Sequence, residues 1–358
     1  MTPDNPKYKT LMITRDRDML QGSTELAIAY EATKRGHNVS FQKPENFYVN
    51  EGIAHGITRR PNAESINSFA AFGKYLGNED FMTKENIPLD EFDIIFSRVA
   101  YKTPDEKRDF DNMCIYLSTV QSINPEIAMV NEPLGMMMAG AKIYESLTLK
   151  EYMPETHITK DPKRLAKIMK EASRDKISLI GKPIDGMGGS RVMEVPPQGY
   201  RGFNAFAEAL VNPLESSASI PSIIQDKIDG VDRRILTIGD QIIGAYKRVP
   251  EEDELRANVH LGGTVEKYNL QEIDHILVEG IAPRIKESGL YFCGLDVMGP
   301  EKDGDMENTK ILELNVRCPG SIESLESLVR YKEKERVRVE AAGKIVEFAE
   351  YLRESKRQ

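Results

Sequence analysis

Ile311-Leu312-Glu313-Leu314-Asn315-Val316 alternates apolar and polar side chains, the period-two signature of a half-buried β-strand. That period puts Glu313 and Asn315 on one face of the strand. Upstream, Cys293-Gly294-Leu295-Asp296-Val297 has the same pattern, and pairing of the two strands brings Asp296 to the same face. Two carboxylates and an amide are hard oxygen donors. Such a set suits Mg²⁺, which keeps waters and takes substrate phosphates, better than zinc. A solvated acidic strand explains any one of the three residues, so the reading depends on what the rest of the chain supplies.

The chain has 358 residues, enough for two or three domains each with its own core. With 40% apolar and 29% charged residues it reads as a soluble globular protein, and a net charge of −9 argues against nonspecific nucleic-acid binding. No apolar run is long enough to span a membrane, and the polar N-terminus lacks the apolar core of a signal peptide. Cys114, Cys293 and Cys318 are scattered, as expected in a reducing cytoplasm, and the five histidines offer no zinc spacing.

The first third opens as β-α-β. Strands are expected at Lys9–Thr14 and Asn38–Gln42, with a helix at Thr24–Arg35 stopped by Gly36. Further strands at Phe92–Ser97 and Glu126–Val130 flank a helix at Asp109–Thr119. Residues 1–132 therefore read as an open α/β domain. Residues 133–222 read as a smaller unit, with helices at Leu134–Leu149 and Asp161–Ala172 and strands at Ile177–Pro183 and Val192–Val195. Residues 223–358 read as a strand-rich domain holding Ile223–Lys227, Arg233–Ile238, Gln241–Arg248 and the two oxygen-bearing strands. Helices at Gln271–Ser288 and Glu333–Glu354 are expected to pack over its sheet.

Lys182-Pro183-Ile184-Asp185-Gly186-Met187-Gly188-Gly189-Ser190 joins two of these strands. Three glycines in four positions let the backbone turn tightly and aim several N–H groups at one anion, and Ser190 adds a hydroxyl. Lys182 supplies a point charge at the strand end. No GK[ST] is present and the loop opens no helix, so it is neither a Walker A nor a Rossmann loop. A ligand-free glycine-rich hairpin has the same sequence. Lys142 lies on a helix, where a surface lysine is the default. Ile223-Ile224-Gln225-Asp226-Lys227-Ile228 reads either as a core strand or as one wall of an adenine pocket. Arg233, Arg234, Lys247, Arg248, Arg256 and Asn258 cluster before Gly262-Gly263, suited to bidentate anion contacts or to pairing with the acidic run Glu251–Glu254.

The order of these elements resembles the ATP-grasp superfamily, and within it the bacterial type of glutathione synthetase. The passages that carry the resemblance are Gly181–Gly189, Arg248-Val249-Pro250 with Arg256-Ala257-Asn258 and Gly262-Gly263, Gly289–Asp296, and Glu313–Val316, supported by Asn131-Glu132-Pro133 and Met153-Pro154-Glu155-Thr156. The resemblance implies an α/β protein with an α+β C-terminal part: an ATP-grasp fold behind a Rossmann-like N-terminal domain. It implies that Lys142 and Lys182 hold ATP phosphates, that Asp185, Gly186, Met187, Gly188, Gly189 and Ser190 form the loop closing over them, and that Gln225, Asp226, Lys227 and Ile228 line the adenine pocket. Asp296, Glu313 and Asn315 would ligate Mg²⁺, with Mn²⁺ as the alternative. Arg248, Arg256 and Asn258 would steady the transferring phosphoryl group, and Arg234 and Arg317 would face the substrate. Small peptide or amino-acid substrates, a cytoplasmic location, and a dimer or tetramer are implied in the same way.

Two departures bear on substrate. After Asn315 the family runs through small hydroxyl residues, whereas this chain reads Val316-Arg317-Cys318-Pro319-Gly320-Ser321-Ile322-Glu323. Thr103-Pro104-Asp105 stands where the family has Asp-Pro-Pro. The expected chemistry is ATP-dependent joining of a carboxylate to an amine through an acyl phosphate, γ-glutamylcysteine and glycine being the first pair. A glutamate-type ligase with another peptide, protein or cofactor acceptor, and a nucleotide-binding regulator without turnover, are the alternatives.

Overall fold

The computed structural model describes residues 6–15, 23–61, 68–76, 82–139, 142–184, 192–195, 202–212, 219–250, 263–320 and 322–358. Three sheets organise them. The first contains β1 (Lys9–Ile13), β2 (Asn38–Gln42), β3 (Phe47–Asn50), β4 (Ile53–Pro61), β5 (Met82–Pro88), β6 (Ile94–Ser97) and β7 (Ala128–Val130). β1 runs parallel to β2 and β6, and β6 parallel to β7, as a β-α-β opening demands. The crossover helices are α1 (Thr24–Lys34), capped by Ser23, and α3 (Pro104–Ile123), capped by Thr103 with proline in its first turn, whereas α2 (Phe69–Leu76) links the antiparallel pair β4 and β5. The antiparallel additions β3, β4 and β5 were not expected. The exposed positions of β5 carry Thr83, Lys84 and Asn86, which erases the apolar alternation.

Helices α4 (Pro133–Ala139) and α5 (Lys142–Thr148) stand where one helix was expected. The second sheet follows: β8 (Thr156–Thr159), then α6 (Pro162–Asp175), β9 (Leu179–Pro183), β10 (Met193–Val195), α7 (Phe203–Val211) and β11 (Ser222–Asp226). Its order is β10-β9-β11-β8, antiparallel throughout. One face, with Leu179 and Ile224, packs on Leu165 and Met169 of α6 and on Ala207 and Leu210 of α7. The other face carries Thr156, Lys182 and Gln225. β11 was assigned to the final domain, but it is bonded to β9 and β8, so the proposed division moves from 222 to after Asp226.

The third sheet has the order β14-β13-β12-β15-β16. Its strands are β12 (Val231–Ile238), β13 (Gln241–Val249), β14 (Thr264–Lys267), β15 (Phe292–Gly299) and β16 (Lys310–Asn315). Helix α8 (Glu272–Glu287) covers one face through Ile273, Leu277 and Ile281, in a core continuous with Leu11, Ile95 and α3. After α9 (Ile322–Ser327) comes α10 (Tyr331–Lys356). Expected over the final sheet alone, α10 also seals the first: Ala342, Ile345, Val346 and Ala349 join Leu26, Ile28, Phe96 and Val130 in one core.

The side chain of Asn131 bridges the first and third sheets. Asn131 donates through Nδ2 to the carbonyls of Phe292 and Val316, at 2.8 and 2.7 Å. Its Oδ1 accepts from the backbone N–H groups of Tyr291 and Phe292, both at 2.7 Å. Next to it, Gly289 has φ +68°, and a Cβ there would lie 2.5 Å from Cβ of Glu132. The turn therefore requires glycine on two counts. No described helix is long and apolar enough to cross a membrane.

Candidate functional site

Cross-strand register builds the site. On β12, β15 and β16, Arg234 pairs with Asp296 and Asp296 with Glu313, so the three stand in one row across the sheet. Asn315 lies two residues beyond Glu313, opposite Gly294. Arg248 on β13 pairs with Asp232, two residues before Arg234. Period two therefore places Arg248, Asp232, Arg234, Asp296, Glu313 and Asn315 on the face away from α8. Gly294 makes room there: a Cβ would come within 3.2 Å of the Arg234 side chain.

Asp296 is buried and held by two guanidinium groups. Arg234 donates from Nε and Nη2 to its two oxygens at 2.5 and 2.8 Å, and Arg248 Nη2 lies 3.3 Å from Oδ2. Arg248 also donates to Asp232, at 3.1 and 2.6 Å. Burial alone would raise the Asp296 pKa. Arg234 and then Arg248 outweigh it and hold the carboxyl at about 2. Arg234, expected near substrate, spends two donors on Asp296.

Lys142, in the first turn of α5, lies 3.2 Å from Glu313. Burial works against its charge, but Glu313 and Glu145 keep its pKa above the ordinary value. Lys182 on β9 donates to Gln225 Oε1 at 3.0 Å, and Gln225 Nε2 donates to Thr156 at 2.8 Å. Burial first, and then the neighbouring Lys142 ammonium, bring the Lys182 pKa down to about 8, against the pull of Glu313, Glu145 and Asp296. Elements far apart in sequence thus place two lysines and two carboxylates within electrostatic range of one another.

Glu145, absent from the sequence-based set, is a member of this group. It sits one turn after Lys142 on α5, 2% exposed, and its Oε1 accepts the Leu314 N–H at 3.0 Å. Its Oε2 is buried without a hydrogen-bond partner. Burial and then repulsion from Glu313 push it up to about 8. A helix glutamate three residues after a lysine gives no sequence signal for such a role.

Other residues fall elsewhere. Lys227 pairs with Glu194 at 2.9 Å, and its backbone N–H donates to Ser178 O. The Asp226 backbone N–H donates to Glu155 O. Gln225, Asp226, Lys227 and Ile228 thus run along and out of β11, beyond Lys182. Arg233 points to the opposite face, where it meets Asp274 at 2.8 Å beneath α8. Lys247 pairs with Glu266 and Glu301, both at 3.0 Å. Arg317 leaves the third sheet and lies over the rings of Tyr101 and Phe110, at 4.4 and 5.5 Å. Asp185, Gly186, Met187, Gly188, Gly189, Ser190, Arg256, Asn258 and the acidic run Glu251–Glu254 lie outside the described residues. Cys114 and Cys293 are buried thiols, the first pushed up to about 12 by burial, so neither is poised as a nucleophile.

The donor chemistry of Asp296, Glu313 and Asn315 is oxygen only, which fits Mg²⁺. Among the described residues no group of three His, Cys, Asp or Glu is arranged for a metal.

The chain is 27% identical over 311 residues to the glutathione synthetase of Vibrio cholerae serotype O1, covering 86% of this chain and 88% of that protein. It is 26% identical over 311 residues to the glutathione synthetase of Escherichia coli strain K12, covering 86% and 89%. Among solved structures, the ATP-grasp ligase PsnB complexed with minimal precursor variant, Mg and ADP superposes with a TM-score of 0.59 at 16% identity, covering 94% of this chain and all of that one (100%). D-cycloserine synthetase DcsG superposes with a TM-score of 0.61 at 12% identity, covering 94% and 99%. At those identities the likeness concerns the fold. The family model for the prokaryotic glutathione synthetase ATP-grasp domain matches residues 141–330, more than half of the chain. This chain belongs to the prokaryotic glutathione synthetase ATP-grasp family and is an ATP-dependent, ADP-forming ligase.

Proposed function

We propose that the ligase joins the cysteinyl carboxylate of γ-glutamylcysteine to the amine of glycine. The observation that supports it is the convergence of Lys142, Lys182, Asp296 and Glu313 within electrostatic range of one another, from the second and third sheets and α5. A carboxylate does not acylate an amine at neutral pH, because its oxygen is a poor leaving group. Phosphoryl transfer from ATP converts that oxygen into phosphate, and the amine then attacks the acyl phosphate. The transition state is rich in charge and calls chiefly for alignment and cations.

In this reading Lys142 and Lys182 bind ATP phosphates, and β11 with its exit, Gln225 to Ile228, borders the adenine. Arg248 lies beside Asp296, where a phosphoryl group is transferred; Arg256 and Asn258 are proposed to join it. Asp296, Glu313 and Asn315 hold Mg²⁺, or Mn²⁺, which when bound neutralises phosphate oxygens. The segment 185–190 closes over the triphosphate and excludes water, which would otherwise hydrolyse the acyl phosphate.

The test is ADP release with ATP and Mg²⁺, followed as γ-glutamylcysteine and glycine are added singly and together. Release that needs both, with product mass equal to their condensation, supports the reading. Release unaffected by the amine sinks it. The glutamate-type ligase is the second reading, favoured by Arg317, and product mass separates the two.

A further inference from the structure

Among the described residues, Arg317 is a guanidinium without an anion. Its carbon lies 4.4 Å from the Tyr101 ring centroid and 5.5 Å from that of Phe110. Its Nε is buried with no hydrogen-bond partner, and among the described residues no carboxylate pairs with it. The two acids within electrostatic range are taken: Asp111 by Lys107 at 2.5 Å and Glu313 by Lys142 at 3.2 Å. An arginine partly removed from water and left unpaired is costly for the fold. Such a cost is retained where a ligand supplies the missing charge.

Position gives the ligand its class. Arg317 follows Asn315 by two residues, so it lies at the end of the strand that bears Glu313, on the side of the first sheet. Stacking on Tyr101 occupies the face of the guanidinium and leaves its edge, a fork matched to a carboxylate. We infer that Arg317, shelved on Tyr101, is the specificity-determining cation for a second carboxylate of the substrates, one that is not phosphorylated. The inference rests on the ligase reading. It requires substrates with a carboxylate beyond the reacting one: the glutamyl α-carboxylate of the acyl substrate, or the carboxylate of the amine substrate.

The experiment compares wild type with Arg317→Met and Arg317→Lys, each checked by thermal melting. The substrates are γ-glutamylcysteine, its analogue with the glutamyl α-carboxylate amidated, glycine and glycinamide. Removing a charged hydrogen-bond pair raises one KM by about 10- to 100-fold. We expect that rise in Arg317→Met for γ-glutamylcysteine or for glycine, with kcat and the KM for ATP little changed. The matching amide is used equally by wild type and variant, and Arg317→Lys recovers part of the loss. Loss of discrimination against the amidated γ-glutamylcysteine assigns the site to the glutamyl end, and against glycinamide to the amine substrate. A variant that keeps both discriminations overturns the inference while leaving the ligase reading intact. If wild type does not turn over γ-glutamylcysteine, the substrate reading fails. The same comparison then uses whichever carboxylic acid drives ADP release, and absence of any such acid overturns both.

Discussion

Asp296 and Glu313 face each other across β15 and β16, one neutralised by two arginines and the other by a lysine. The environments differ, and so do the expected effects of neutralising each carboxylate. Asp296→Asn leaves Arg234 and Arg248 buried beside a neutral amide, a loss of about 3–5 kcal/mol. Glu313 is 35% exposed, and Glu313→Gln costs about 1 kcal/mol or less. Both variants lose Mg²⁺-dependent ADP release. Urea denaturation beside the ADP assay checks the contrast; equal stability of the two variants refutes it.

Lys182→Met separates stability from binding. The folded state holds this ammonium at about 8, below its ordinary 10.5, so its charge opposes folding at neutral pH. The variant is expected to be no less stable than wild type. ATP affinity falls about 10- to 100-fold, the value of a charge-assisted contact. Calorimetric titration with an ATP analogue and a thermal melt read the two quantities.

Glu145 is expected to act by positioning, since its Oε1 ties α5, and Lys142 with it, to the Leu314 N–H. Glu145→Gln retains an acceptor for that N–H. Glu145→Ala orphans a buried donor at about 1–3 kcal/mol and releases Lys142. The KM for ATP should rise in the alanine variant and much less in the glutamine variant. Similar KM values in both would remove Glu145 from the site.

Asn131→Ala removes the four hydrogen bonds by which this side chain bridges the first and third sheets. Each orphaned backbone group carries a desolvation cost of about 1–3 kcal/mol, partly relieved by entering water. A net loss of about 3–5 kcal/mol is expected by urea denaturation. Asn131→Asp keeps the two acceptor contacts but turns a carboxylate toward the Phe292 and Val316 carbonyls, and should also destabilise.

Acid should loosen the seam between α10 and the first sheet. Buried His37 meets the Thr10 hydroxyl at Nδ1 and Glu350 at Nε2, each at 2.9 Å. Burial lowers its pKa from 6.5, against the pull of Glu350. The unfolded chain therefore binds more protons as pH falls below 6.5, and stability falls with it. Glu350 has the same sign. Burial opposes its charge, but Lys7 and His37 hold its pKa below 4.5, so its contribution is lost at still lower pH. The denaturation midpoint measured from pH 7.5 to 4.5 should decline, and His37→Phe should flatten the upper part of that decline.

The elements of the site were legible where period two spoke plainly. Leu312-Glu313-Leu314-Asn315 and Gly294-Leu295-Asp296 announce their strands, and Lys182 ends an apolar run. Partnership was not legible. That Arg234 stands opposite Asp296 depends on strand register, which no local pattern around either residue states. Arg233 and Arg234 look alike in sequence, yet alternation sends one beneath α8 and the other into the cleft. Glu145 was obscured for a related reason: its burial beside β16 is a property of the assembled fold. β11 was misassigned because an apolar strand carries no mark of which sheet it joins.

The joint core of α1 and α10 sets an order of events during synthesis. Leu26 and Ile28 leave the ribosome long before the surface that covers them, Ala342 to Ala349. Helix α1 therefore waits, its apolar flank uncovered, until α10 has emerged. Nascent chains stalled before residue 340 should remain protease-sensitive, and longer ones should become resistant.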